Sequence, residues 1–531
     1  MGATLVHWNY GDLFDGCGEV LAPGTPALVH GERVVNWGEL TARSNNLARA
    51  LLEQGACAGD KVAIYLRNCP EYMETVVACF KARLVPVNVN YRYLDDELHY
   101  ILDNSDAVVV VYDAEFRTHV SALESRLPGL HWVEVGEPYE KLATTGSGEP
   151  LNIERSGDDL LFIYTGGTTG MPKAVMWRQD DLWQAFDSGS TSPCNKGERV
   201  ESYAEHLENL QNFDTVFSQI VACPLMHGTG LLTSMAALTG GGCVLTLTHP
   251  GLNVEELWDT VEKRHVNGLV IVGDAFAKPM LKSLQENPGR WDISSLTMMV
   301  SSGVMWSPLV KEGLLSYNAN MLLVDAFGSS EAMGFGSSTS GAGSTAKSAS
   351  FTIGPDCKIF TEDFKEVEPG SGVKGFIARP GPIPMGYYKD EKKTAETFPT
   401  INGVRYSIPG DWCTVEADGI LNLLGRGSVC INSAGEKIYP EEVEEALKTH
   451  ANVDDALVFG IDDEKWGQAV TAVVLLADDH SMDEQKLIHH ARTLLAGYKA
   501  PKAIYAVTTM FRAPNGKADY KAAKAYVASL K

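Results

Sequence analysis

From Tyr164 to Val175 the chain reads YTGGTTGMPKAV, three glycines and three threonines ahead of one proline and one lysine. Glycines let a backbone close on a ligand and leave successive N–H groups uncovered. Threonine hydroxyls add donors, and Lys173 adds one fixed positive charge. That set suits the phosphates of a nucleoside triphosphate. The spacing is not that of the P-loop: Gly166 and Gly170 are four apart, and Met171 and Pro172 stand before the lysine. Pro172 also bars a helix from running through Lys173. By itself such a stretch is more often just a loop, so its meaning depends on its company.

The surrounding elements supply a frame. The stretch follows DDLLFIY, a short apolar run of strand type. Upstream, NWGELTARSNNLARALLE has Leu40, Leu47, Ala48, Leu51 and Leu52 at helical spacing, and KVAIYL and DAVVVVYD read as buried strands. Downstream, CVLTLT, GLVIVG, TMMVSSG and NMLLVDAFG are strands with NVEELWDTVEKRH a helix among them. Strands alternating with helices predict α/β layers on a largely parallel sheet. Ser188 to Asp214 is polar and predicts a surface insertion, with an active-site lid as the alternative. Ser337 to Ser350, rich in Ser and Gly, predicts a mobile loop, either a flap or a linker. From Phe351 the strands shorten, and DWCTVEADGILNLLG carries an Asp-Gly hairpin turn. A tail with its own alternation of strands and helices predicts a second domain. The expected division is 1–427 and 428–531, with the junction at Ser428.

Composition narrows the ligand. The formal charge is −24, which repels nucleic acid and anionic membrane, so an anionic ligand must be caught locally. The ten cysteines form no Cys-x-x-Cys pair, which speaks against a zinc site or a disulfide framework and fits a reducing cytoplasmic setting. No signal peptide, myristoylation pattern or apolar run of about 18 residues is evident.

Seven ordered motifs resemble the adenylate-forming superfamily of acyl-CoA synthetases, adenylation domains and luciferases. They are YTGGTTGMPKAV, PLMHGTG, SSGVMWSP, DAFGSSEAMG, YSIPGDW, GRGSVCINSAGEKIYPEEVE and PNGKADYK. The resemblance spans nearly the whole chain. It implies a large N-terminal domain of layered α/β sheets with a small β-barrel-like part, and a small mobile α+β C-terminal domain. It implies ATP and CoA as cosubstrates with Mg²⁺ as cofactor. A carboxylate is a poor electrophile; attack on the α-phosphate of ATP gives an acyl-adenylate with a good leaving group, which a thiol displaces. ATP would be held by Thr165, Gly166, Gly167, Thr168, Thr169, Gly170, Lys173, Gly303, Val304, Asp325, Ala326, Phe327, Gly328, Ser329, Ser330, Asp411 and Arg426. Lys517, Glu331 and Thr168 would be catalytic, Glu331 as the Mg²⁺ ligand, Asp411 on the ribose hydroxyls and Lys517 between the carboxylate and the α-phosphate. His227, Gly228, Met305, Trp306, Gly328 and Met333 would form the acyl pocket, His227 as a gate with general base as the alternative. Trp177, Met226 and Met235 stand near the motifs as further tunnel residues or as core. Lys437, Ser433 and Gly435 would meet CoA after rotation about Ser428.

Several positions depart from the pattern. Ala174 stands in place of glycine, Phe327 in place of tyrosine, Ser330 in place of threonine, Val429 in place of aspartate and Ala434 in place of glycine. Ala174 would strain the loop if that position needs a positive φ. The branch most resembled handles fatty acids and bulky apolar acids such as sterol side chains. The alternatives are an adenylating enzyme for an aryl or small acid, one that delivers to a carrier protein, and a non-catalytic nucleotide-binding protein. A homodimer is left open.

Overall fold

The computed structural model describes residues 7–530 apart from 168–169, 187–188, 305, 345–348, 434–435, 464–466, 478–479 and 514–515. Thr168, Thr169, Met305, Ala434 and Gly435 therefore lie outside the described residues.

Two sheets carry the first four-fifths of the chain. The smaller orders its strands as Gly386–Tyr387, Gly170–Arg178, Leu160–Gly167, Val85–Asn88, Lys61–Tyr65, Ala107–Tyr112 and His131–Glu134. Its inner strands are parallel and largely apolar because helices cover both faces. The larger sheet runs in parallel from Leu322–Ser329 through Met298–Ser302, Gly268–Ile271, Ser218–Val221 and Cys243–Thr246 to Pro26–His30. Antiparallel strands between residues 332 and 426 are hydrogen-bonded onto its Leu322–Ser329 end. The hairpin at Asp418–Gly419 forms as its sequence predicts, with Gly419 at φ +84°.

Local signals fix the helices. Asn36 caps Trp37–Glu53 by accepting from the Glu39 amide at 2.9 Å. Pro70 opens Pro70–Lys81, where a missing N–H costs nothing, and that helix is buried along its whole length between layers.

A separate five-stranded sheet contains Ile431–Ser433, Glu436–Ile438, Val453–Asp463, Gly467–Leu476 and Ala503–Val507. Helices Pro440–Lys448 and Glu484–Leu494 pack on one face through Val443, Leu447, Leu487 and Ile488. Helix Tyr520–Ser529 contributes Ala523 and Val527 to a second cluster with Leu457 and Phe459.

Two sequence expectations change. The polar stretch 188–214 is not an insertion riding on the surface. It contains helix Tyr203–Gln211, which docks on the core: the Tyr203 ring packs at a tilt against Trp8 with ring centroids 4.6 Å apart. Buried His206 pairs through Nε2 with the Thr239 carbonyl at 2.9 Å, so one apolar stripe outweighs the polar composition. Within 337–350, residues 337–340 complete strand Ala332–Ser340 and Ser350 begins strand Ser350–Ile353, so both ends of the Ser/Gly run are ladder-bound. All ten cysteines are free thiols, six of them buried as small apolar groups. Among the described residues no helix is long and apolar enough to cross a membrane.

Candidate functional site

The Gly/Thr stretch is the turn of an antiparallel hairpin. Thr165 lies opposite Lys173 and Gly167 opposite Gly170, on strands Leu160–Gly167 and Gly170–Arg178. Lys173 forms an ion pair with Asp390. Ala174 is fully buried in regular strand pairing with Tyr164, its carbonyl accepting from the Tyr388 amide at 2.9 Å. It is absent from the positive-φ residues, so the strain feared from losing glycine does not arise. Asn88 ties this hairpin to the PLMHGTG turn: it accepts from the Tyr164 amide at 2.7 Å and donates to the Met226 carbonyl at 2.6 Å.

The second group sits where two parallel strands end, the usual place for a ligand in an open α/β sheet. Met298–Ser302 ends at Gly303, with φ +92°, and Val304 packs at the core margin. Leu322–Ser329 carries Asp325, Ala326, Phe327 and Gly328 and leads into Ser330 and Glu331. The Asp325 carboxylate turns to buried Lys311 at 3.1 Å, and Lys311 Nζ lies 5.3 Å from the centre of the Trp306 ring. Burial pushes the Asp325 carboxyl up to about 6 against the pull of Lys311. Its side chain is thus committed beneath the strand end. Phe327 fills a cluster with Phe335 and Phe351 at 5.3 and 5.2 Å, an apolar use for a ring without a hydroxyl.

Glu331 is only 7% exposed. Its Oε1 accepts from the Tyr387 hydroxyl at 2.8 Å, and its carbonyl accepts from Ser407 Oγ at 2.7 Å. Trp177, fully buried, donates through Nε1 to the Ser330 carbonyl at 2.9 Å, which joins the Gly/Thr hairpin to the Glu331 turn. A side chain on Gly228 would meet Ser330 Oγ at 3.8 Å, so the PLMHGTG turn faces the same place. Asp411, 7% exposed, lies across the ladder from Arg426.

His227 caps helix Gly228–Thr239. Burial, then the positive potentials of Lys517 and Arg92, push its pKa down to about 4. The imidazole is neutral at physiological pH and a feeble base there, which favours the gate over the general base. Met333 packs at the core margin, whereas Trp306, Met226 and Met235 are buried in the interior.

Lys517 reaches this place from the C-terminal sheet. A Cβ on its neighbour Gly516 would stand 3.0 Å from Ala275 Cβ and 3.6 Å from Val304. The loop is held from behind by Arg512, which donates to the Gly516 carbonyl at 3.1 Å and grips Asp455 at 2.6 and 2.8 Å. Of the expected CoA contacts, Ser433 and Lys437 lie on the facing strands Ile431–Ser433 and Glu436–Ile438. Ser428 lies in the helical turn Gly427–Val429, which also holds Val429.

Sequence reasoning missed Asn88, Asp390, Tyr387, Lys311 and Arg512. Only Arg512 carried a signal, standing five residues before Lys517. The others meet partners that lie from 14 residues away, for Lys311 and Asp325, to 217, for Lys173 and Asp390.

Comparison with known proteins agrees with this geometry. Residues 20–388 match the AMP-binding enzyme family, and residues 442–517 match the AMP-binding enzyme C-terminal domain. The chain is 42% identical over 527 residues to the 3-oxocholest-4-en-26-oate–CoA ligase of Rhodococcus rhodochrous, covering 95% of this chain and 93% of that one. It is 41% identical to the medium/long-chain-fatty-acid–CoA/3-oxocholest-4-en-26-oate–CoA ligase of Mycolicibacterium smegmatis, covering 94% and 93%. ATP-bound MatB from Rhodopseudomonas palustris superposes with a TM-score of 0.82 at 22% identity, over 98% of this chain and 100% of that one. With two matched domains in order and the motif residues converging where they meet, the chain belongs to the AMP-binding enzyme family of adenylate-forming enzymes.

Proposed function

We propose that this protein is an AMP-forming acyl-CoA ligase for a hydrophobic carboxylic acid, a fatty acid or a bulky apolar acid of the sterol side-chain type. The observation that carries the reading is the seating of the Lys517 loop on Ala275 and Val304, close enough to His227 to lower its pKa, in a turn that Asn88 ties to the Gly/Thr hairpin. In the first step the acid's carboxylate oxygen attacks the α-phosphorus of ATP; an O–P bond forms and pyrophosphate leaves. Both reactants are anions. Lys517 and Lys173 bring positive charge to them, and this term, with fixed orientation, accounts for most of the acceleration expected. Asp411 accepts from the ribose hydroxyls. His227, neutral, keeps the acyl side dry. In the second step the CoA thiolate attacks the acyl carbon, the thioester forms and AMP leaves.

Mg²⁺ prefers hard oxygen ligands and takes one or two protein carboxylates plus substrate phosphates. Buried Glu331, held by Tyr387, fits that role; among the described residues no cluster of three metal-binding side chains provides an all-protein cage. When bound, the ion would neutralise phosphate charge. We read the junction near Ser428 as the hinge that withdraws Lys517 and presents Lys437 and Ser433 to CoA, on the μs–ms timescale usual for such closures. Domain limits of 1–427 and 428–531 and residence in the cytoplasm belong to the same reading, and a homodimer is one assembly compatible with it.

The feruloyl-CoA synthase of Amycolatopsis, 30% identical over 91% of this chain, keeps an aryl acid as the second reading. The test is AMP and pyrophosphate release from ATP by purified protein with short, medium, long, aryl and steroidal acids, with and without CoA. Turnover of long or steroidal acids to CoA thioesters is the expected result. Exclusive turnover of aryl acids supports the second reading, and no pyrophosphate with any acid refutes both. Lys517→Ala retaining full thioester formation refutes its role.

A further inference from the structure

The helix Asp274–Glu286 begins just beyond strand Gly268–Ile271 and presents its first turn and a half to the C-terminal sheet. Three contacts are made there. Lys278 Nζ donates to the Asp454 backbone carbonyl and lies 3.3 Å from its Oδ1. Ala275 lies against Gly516, which has φ +75°, and a Cβ at 516 would stand only 3.0 Å from the Ala275 Cβ. Asp274 is half-buried, one oxygen accepting from the Ser307 amide and hydroxyl at 2.9 and 3.2 Å, the other shielded from solvent and without a hydrogen-bond partner. Lys448, from the C-terminal side, supplies the largest positive potential on that carboxylate.

These contacts join directly to the catalytic loop. Asp454 is followed by Asp455, which Arg512 grips, and Arg512 holds the carbonyl of Gly516, the residue before Lys517. One helix turn therefore grasps both ends of a short rigid path leading to the lysine.

We propose that Asp274, Ala275 and Lys278 form a seat that selects the adenylating orientation, and that Lys278 is a positioning residue for the first half-reaction alone. The inference rests on the two-orientation reading above. The Lys278–Asp454 pair is partly exposed, the two side chains being 30% and 49% accessible. Such a pair is weak enough to break each cycle, yet a small term decides a balanced two-state equilibrium.

The test separates the half-reactions, using whichever acid turns over fastest and its chemically made adenylate. Lys278→Glu turns the attraction into repulsion. It is expected to cut acid-dependent pyrophosphate exchange roughly five- to tenfold. Thioester formation from supplied acyl-adenylate and CoA is expected to stay level or rise, which also shows that the variant is folded. Asp454→Lys should behave alike, and the Lys278→Glu/Asp454→Lys pair should recover exchange to within about twofold of wild type. Unchanged exchange in Lys278→Glu, equal loss of both half-reactions, or no recovery in the double variant overturns the seat. Wild-type protein inactive in both assays would instead sink the ligase reading.

Discussion

Replacing Lys311 with methionine isolates the support under the catalytic turn. Lys311 is 1% exposed on its side chain and Asp325 9%, with 3.1 Å between the charged atoms. At an effective dielectric of ~20 that separation is worth about 5 kcal/mol of gross attraction. Methionine has a similar length and keeps the packing against Trp306, so the loss is electrostatic. Removing one partner of a buried pair costs about 3–5 kcal/mol, because the other charge is left without compensation. The remaining carboxyl has an escape, which is to take up a proton. In the wild type Asp325 has its pKa at about 6, above the unfolded value of 3.8, and without Lys311 it must rise further. Between pH 8 and 6 the folded variant then binds a proton that the unfolded chain does not. Variant stability must therefore climb as pH falls, by up to about 1.4 kcal/mol per pH unit, while wild-type Asp325 takes up its proton only toward the lower end of that range, near pH 6. Urea unfolding followed by tryptophan fluorescence at pH 8, 7 and 6 measures this; the expected penalty is largest at pH 8 and shrinks toward pH 6. Because Asp325 precedes the Glu331 turn by six residues, KM for ATP should rise in parallel at pH 8. Lys311→Met/Asp325→Leu should recover most of the stability. A penalty below about 1 kcal/mol at pH 8, or one independent of pH, refutes the account.

Three further outcomes follow from the same geometry. Glu331→Gln keeps the shape and the Tyr387 contact but removes the charge, so kcat/KM for Mg·ATP should fall about 10²–10³-fold with melting temperature nearly unchanged; a change under threefold would return Glu331 to the scaffold. Asp390→Asn preserves the cap on helix Glu391–Thr397 while releasing Lys173, so KM for ATP should fall about two- to fivefold in steady-state assays, and a rise would show that Asp390 orients the lysine. The pKa of His227 is held near 4, below its ordinary 6.5, so its stabilising contribution is complete above pH 6.5 and disappears as pH falls toward 4. His227→Gln should flatten that part of the thermal-stability profile and leave the rate profile from pH 6 to 8 in shape; loss of a rate limb near neutrality would make the imidazole a base.

What the sequence disclosed depended on how local the physics was. Buried parallel strands announce themselves as unbroken apolar runs, and a hairpin announces itself by Asp-Gly. The motif residues stood out as types because their chemistry is set by what they are. Their partners were invisible, since Asn88, Asp390 and Lys311 are ordinary polar residues until the sheet brings them to Tyr164, Lys173 and Asp325. The Ser188–Asp214 stretch misled because composition averages over a helix whose buried face is one stripe. Ala174 misled for the converse reason: a glycine in related loops raises the question of φ, and only strand pairing answers it.

The cations near the site divide by accessibility, and that division sets what each can do. Lys311 is bound to Asp325 where breaking the pair leaves a buried charge, and Arg512 grips Asp455 through two short contacts with the side chains only 18% and 19% exposed, so both pairs are harder to exchange during turnover. Lys173 and Lys278, at 40% and 30% side-chain exposure, hold carboxylates that water can replace, at a cost of about 1 kcal/mol or less. A chain carrying −24 overall cannot leave lysines bare near a phosphate site without collecting its own carboxylates. On the proposed reading the arrangement uses that tendency: exchangeable pairs lie where a triphosphate would enter and where a domain would let go, and locked pairs lie beneath the two loops that would return to the same position each cycle.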